Sequence, residues 1–201
     1  MIAANLLMLH KPKGYVVTRS DEKGRKTVYD LLPPWALSED WMPAGRLDID
    51  SRGLILFSKG GKDVDALTRP GRLAKTYEVW VRGKVTQEHI SKALEGVKTP
   101  EGLCRARRVE LLGGAGPKTR LKVALDEGKN RHIRRLFGAL KDPKFGTPLK
   151  VLELKRIAIA DLPLDIASGQ WRFLTPEETS RLLIKTGPSR LGQTAIRRVG
   201  P

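Results

Sequence analysis

Arg46, Asp48, Asp50 and Arg52 alternate as cation, acid, acid, cation, and Arg52 opens onto the apolar run Leu54-Ile55-Leu56-Phe57. Ionised groups beside a strand that must be buried are costly to desolvate unless they are paired. Two readings follow. Either the segment is a surface loop stitched by ordinary ion pairs, or a carboxylate is held in a dry pocket by a cation, ready to act as nucleophile or base. Other chemistry is sparse. His10, His89, His132 and Cys104 show no metal-ligand spacing, so no zinc site or other metal is expected. Neither GxGxxG nor GxxxxGKS/T occurs, and Gly113, Gly114 and Gly116 fall between strand-like runs rather than ahead of a helix. Three scattered histidines support no Ser-His-Asp set.

Such a loop needs a scaffold, and hydrophobic periodicity outlines one. Strands are expected at residues 5–10 and 15–18, joined by the turn Lys11-Pro12-Lys13-Gly14, with residues 20–26 as loop. The apolar stretch 53–58 reads as a buried strand and 61–68 as a short helix. Over 75–82, Tyr77, Val79 and Val81 share one face, which leaves Trp80 to cover the other. A helix over 86–94 precedes antiparallel strands at 105–112 and 119–126, joined through residues 113–117. Residues 130–140 give the clearest helix, capped by Asn130, with Ile133, Leu136, Phe137 and Leu140 as its apolar stripe. Strands at 150–160 and 170–174 lead to the capping box Thr175-Pro176-Glu177-Glu178 and a last helix ending near Lys185. The expected class is α+β with a mixed sheet. Residues 1–185 form the folded unit and 186–201 a basic, disordered tail.

The chain has 201 residues, with 38 Lys plus Arg against 22 Asp plus Glu, a net charge of +16. Only Lys185, Arg190, Arg197 and Arg198 of these cations lie beyond residue 184, so the body itself is strongly basic. That points to a nucleic-acid partner, against the alternative of a solvated basic protein with no specific partner. No apolar run approaches the roughly 20 residues that span a bilayer, and the opening MIAANLLMLH lacks the basic region of a secretory leader. One cysteine excludes an internal disulfide. A soluble, cytoplasmic protein without a membrane partner is expected.

The motifs are also recognisable as a set. Gly45-Arg46-Leu47-Asp48 with Ser51-Arg52-Gly53-Leu54-Ile55-Leu56 resembles the GRLDxxTxGLLLLT signature of pseudouridine synthases of the ribosomal small-subunit type. His10-Lys11-Pro12-Lys13-Gly14 resembles their NKPxG motif and Lys75-Thr76-Tyr77 their KxY motif. Residues 127–135, from Glu127-Gly128-Lys129 to Arg134-Arg135, resemble EGKxxQVRRM. The four occur in the family's order and span about residues 5–183. Ser51 stands where Thr is usual, His132 where Gln is usual, and His10 where Asn is usual.

The resemblance implies a pseudouridine synthase fold: two α+β lobes sharing a mixed, mainly antiparallel sheet, with the active-site cleft between them. It implies isomerisation of a uridine in ribosomal RNA, with 23S rRNA favoured, by a monomer that uses no cofactor or metal. Many relatives begin with a small RNA-binding domain of the S4 kind, for which the early first motif leaves no room, so a single-domain member is expected. Asp48 matches the catalytic aspartate, Tyr77 the tyrosine on the target base, and Lys129 the cation paired with the aspartate. Arg131 or Arg134 is the alternative for that pairing. Arg46 matches an arginine implicated in base flipping, against a structural ion pair with Asp50. Arg131 and Arg135, four apart, imply a phosphate-facing helix side, with Arg134 and Lys75 as further RNA contacts and Leu154 as the floor of the uracil pocket. Two rival classes stay open: a catalytically silent rRNA-binding or ribosome-assembly protein, and a metal-dependent nuclease using Asp48 and Asp50.

Overall fold

The structure, a computed structural model, describes residues 6–184. The first half begins with β1 (Leu6–Lys11), a 3-10 turn at Val28–Leu31, α1 (Trp35–Ser38), β2 (Met42–Pro43) and β3 (Arg52–Ser58). It continues with α2 (Gly61–Thr68), β4 (Lys75–Arg82), α3 (Gln87–Glu95), and a small hairpin of β5 (Val97–Thr99) and β6 (Gly102–Cys104). The second half holds β7 (Arg108–Ala115), β8 (Lys118–Leu125), α4 (His132–Gly138), β9 (Lys150–Ile159), β10 (Leu162–Pro163), β11 (Trp171–Phe173) and α5 (Pro176–Ile184). No described helix is long and apolar enough to cross a membrane.

One mixed sheet runs through the molecule in the order β11-β1-β3-β9-β4-β8-β7. All its neighbours are antiparallel except β3 and β9, which run parallel and meet only at Arg52↔Lys155 and Gly53↔Arg156. That short seam divides the sheet into two lobes. In the first, β1 and β3 are buried on both faces, which is why their sequences are continuously apolar. Leu6, Met8, Leu54 and Leu56 pack with Leu67 of α2 and Leu182 of α5, and Leu7, Leu9, Ile55 and Phe57 pack with Val28, Tyr29 and Trp41. The second lobe has a one-faced core: Val79, Val81, Leu121 and Val123 pack with Ile90 of α3 and Ile133, Leu136 and Phe137 of α4. The expected α+β class with two lobes on a mainly antiparallel sheet is the architecture observed.

Gly53 makes the seam possible. Its φ is +119°, and a Cβ there would lie 2.2 Å from the Arg156 carbonyl oxygen. Only glycine lets the two backbones approach so closely.

Several expectations are corrected. Residues 15–18 form no strand; Val16 makes a single bridge to Thr27, and the segment runs on as a loop. Asn130 does not cap α4. The N-cap is Arg131, in the left-handed region at φ +46°, with no side-chain cap. The strand placed at 105–112 lies at Arg108–Ala115, because a bulge between Leu111 and Gly113 carries the ladder through the glycines to a tight turn at Gly116-Pro117. The Thr175 capping box is present: Glu178 N donates to Thr175 Oγ1 at 3.2 Å and Thr175 N donates to the Glu178 carboxylate at 2.9 Å. The expected positions 5, 185 and 186–201 lie outside the described residues.

Candidate active site

The loop between β2 and β3 carries Asp48, and its backbone is pinned from below. Lys11, wholly buried at the end of β1, donates from Nζ to the carbonyls of Pro12 (3.0 Å), Asp48 (3.1 Å) and Ser51 (2.7 Å). Burial pushes this ammonium down to about 8, opposed by the charges of Asp50 and Asp48. Ser51 N closes a turn onto Asp48 O at 3.0 Å, and Gly14 N donates to Ile49 O at 2.8 Å. The first motif and the aspartate loop are therefore one structural unit.

Above this base opens a cleft of about 980 Å³, walled by the 44–51 loop, the 16–25 loop, the start of β4, the middle of β9 and the 128–133 segment. The half-buried Asp48 carboxylate faces two guanidiniums: Arg131 Nη1 at 3.6 Å and Arg134 Nε at 3.8 Å. Asp50 takes Arg134 Nη2 at 3.0 Å and Arg131 Nη2 at 3.8 Å. Arg134 is fixed at its other end, where Nη1 donates to Val151 O at 3.0 Å. The two contacts to Asp48 are longer than hydrogen bonds, and among the described residues its carboxylate oxygens accept none. Asp48 thus meets positive charge while its lone pairs remain open to the cleft.

Tyr77 and Leu154, both buried, form an aromatic and an aliphatic wall, brought together by the β4–β9 ladder. Lys75, half-buried, lines the same space, and burial pushes it down to about 8, helped by the charge of Arg156 and opposed by Asp126. Arg46 stands exposed at the cleft with no carboxylate within 4 Å among the described residues, so the ion pair with Asp50 does not form.

Two expectations fail on geometry. Lys129 lines the cleft but pairs with Glu127 at 2.9 Å and the Leu103 carbonyl at 3.0 Å, not with Asp48. Its place before the left-handed Arg131 leaves the cation beside Asp48 to come from Arg131 and Arg134. Arg131 and Arg135 share no phosphate-facing side either. Arg131 lies outside the helix, and Arg135 reaches Glu101 in the turn of the β5–β6 hairpin at 3.2 Å.

Arg156 was not foreseen. It is 4% exposed, lines the cleft, and donates from Nε to Leu54 O at 2.6 Å. The signal available was parity: position 156 falls on the same inward face of β9 as Leu154, where a charge needs a reason. His132, in the position where Gln is usual, is buried and hydrogen-bonds the Arg105 carbonyl at 3.1 Å; burial lowers its pKa. Chemically, the cleft offers an open carboxylate against two cations, a flat ring, an aliphatic wall and a half-buried amine.

Known proteins resemble this chain in sequence and in fold. The family pattern for RNA pseudouridylate synthase matches residues 5–139. A ribosomal large subunit pseudouridine synthase B from Vibrio cholerae is 34% identical over 194 residues, covering 94% of this chain and 58% of that protein. Its namesake from Salmonella typhimurium is 32% identical over 196 residues, covering 95% and 65%. The chain thus spans less than two thirds of the length of these curated relatives. A structure solved as the crystal structure of pseudouridylate synthase superposes with a TM-score of 0.73 at 27% identity, over 89% of this chain and 73% of that one. On the pattern match and these two relatives, the chain belongs to the RNA pseudouridylate synthase family.

Proposed function

We propose that the chain converts a specific uridine of ribosomal RNA to pseudouridine, with 23S rRNA as the target and the ribosomal small-subunit type as its subfamily. The observation that carries this reading is Asp48: a cleft carboxylate set against two guanidiniums, with no hydrogen bond to its oxygens among the described residues. The target rests on relatives named for the ribosomal large subunit. In the reaction the N1–C1′ bond breaks and a C5–C1′ bond forms, C5 loses a hydrogen and N1 gains one. Atoms balance without a co-reactant.

A base inside folded RNA must first be extruded, at a cost of a few kcal/mol. Arg46, exposed at the cleft, suits the gap it leaves. Tyr77 stacks on the extruded base and assists proton transfer, Leu154 floors its pocket, and Lys75 approaches its backbone. Arg131 and Arg134 hold the carboxylate, the role the motif alone gives to Lys129. The nuclease alternative needs a metal ion between Asp48 and Asp50, where the cations present are these two arginines.

The test is carbodiimide–primer-extension mapping of rRNA from cells lacking the protein, complemented with wild type or Asp48→Asn. One pseudouridine stop lost in the deletion, restored by wild type and not by Asp48→Asn, is expected. An rRNA map identical with and without the protein would sink the proposal.

A further inference from the structure

The sheet of the second lobe has two faces, and only one is used by its core. Tyr77, Val79 and Val81 point inward, so Glu78, Trp80 and Arg82 point outward. The ladders of β4 with β8 and β9 arrange that outer face as three cross-strand rows. Lys118, Arg82 and Lys150 form the end row. Arg120, Trp80 and Glu153 form the middle one, and Lys122, Glu78 and Lys155 the third. Both acids are already engaged, Glu78 with Arg120 and Glu153 with Arg52, each at 2.7 Å. The end row is all cation. Its three side chains are exposed, and none has a carboxylate within 4 Å among the described residues.

Neighbouring strands lie about 4.8 Å apart, and like charges directly opposite one another destabilise a sheet. Three in a row therefore work against the fold unless anions neutralise them. The row does not belong to the cleft: Arg82 is seven residues along β4 from Lys75, about 23 Å at 3.3 Å per residue. Trp80 stiffens the centre of the face, with the Arg120 guanidinium 5.7 Å from its ring centroid.

We propose that this outer face is a second RNA-binding surface, in which Arg82, Lys118 and Lys150 take the phosphate backbone of structured RNA away from the reacting nucleotide. The proposal rests on RNA being the substrate, as read above. A chain with so large a positive charge has its complement in a polyanion, and a continuous cationic row suits evenly spaced phosphates better than isolated carboxylates.

The experiment uses the full chain and the triple variant Arg82→Gln/Lys118→Gln/Lys150→Gln. Fluorescence anisotropy follows binding to an RNA duplex of G and C only, which offers no uridine to the cleft, across a KCl series. The triple variant is expected to bind about tenfold or more weakly at moderate salt, with the slope of log K against log salt reduced by about 2 to 3, close to one per lost phosphate contact. A melting temperature at or above that of wild type would show the variant sheet intact. Equal affinity and slope for the triple variant and wild type would overturn the proposal and leave an acidic protein as the row's partner. Should wild type form no pseudouridine in any rRNA while the slope still falls in the variant, the catalytic reading fails and this one stands.

Discussion

At the scale of single residues, the site depends on which cation serves Asp48. Arg134 is almost buried and bridges Val151 O to both carboxylates, whereas Lys129 is an exposed side chain held by Glu127. Arg134→Gln is therefore expected to lower the single-turnover rate of pseudouridine formation by roughly 10²-fold, the scale of losing one preorganised electrostatic partner. Lys129→Ala should cost a factor of about 5 or less, as for an exposed ion pair. Equal losses in the two variants would show the assignment to be wrong. The acidic segment was legible because two acids flanked by arginines at the mouth of a buried strand are chemically unusual, and the family resemblance picked Asp48 within it. The choice among Lys129, Arg131 and Arg134 was not, since it turns on the left-handed backbone of Arg131, which spacing does not reveal for a non-glycine residue. Lys11 was visible as a motif member, but its three-carbonyl cradle exists only once β1 and the 48–51 turn are brought together.

At the scale of elements, the seam between β3 and β9 carries the geometry. Gly53→Ala would force a Cβ onto the Arg156 backbone and is expected to cost more than about 3 kcal/mol, read as a lower urea midpoint at constant m. Gly14→Ala, also at positive φ but facing open space, should cost about 1 kcal/mol. If the two variants unfold at the same midpoint, close approach is not what Gly53 provides. β3 and β4 were readable because continuous or alternating apolar patterns match their burial closely. The 15–18 strand failed for a physical reason: a short extended run with a single bridging partner has no ladder to join. The β5–β6 hairpin and the shift of β7 escaped notice because their positions follow from α4 and from a bulge rather than from local pattern.

Across the whole molecule, two buried histidines, one in each lobe, are held by backbone carbonyls of distant segments. His10 hydrogen-bonds Ile166 O in the first lobe, and His132 hydrogen-bonds Arg105 O in the second. Burial lowers both pKa values, with nearby cations adding to it. Between the lowered folded-state values and the ordinary value of about 6.5, the unfolded chain binds more protons, so stability rises with pH there and falls as the solution is acidified. The urea midpoint is expected to drop as pH falls from 7 to 5, and the double variant His10→Asn/His132→Gln should flatten that drop. An unchanged slope would mean that other groups govern acid unfolding.

The strand order has a consequence in time. β1, the first of the described strands to be made, lies between β3 and the last of them, β11, and β3 reaches the second lobe only through β9. The cleft walls at Tyr77 and Asp48 are synthesised before β9, from which Leu154 and Arg156 close them. During synthesis the aspartate loop therefore leaves the ribosome well before its pocket exists. Under the proposed function, a nascent chain is catalytically silent until β9 has emerged, and a strongly basic polypeptide born beside ribosomal RNA does not modify it midway through translation.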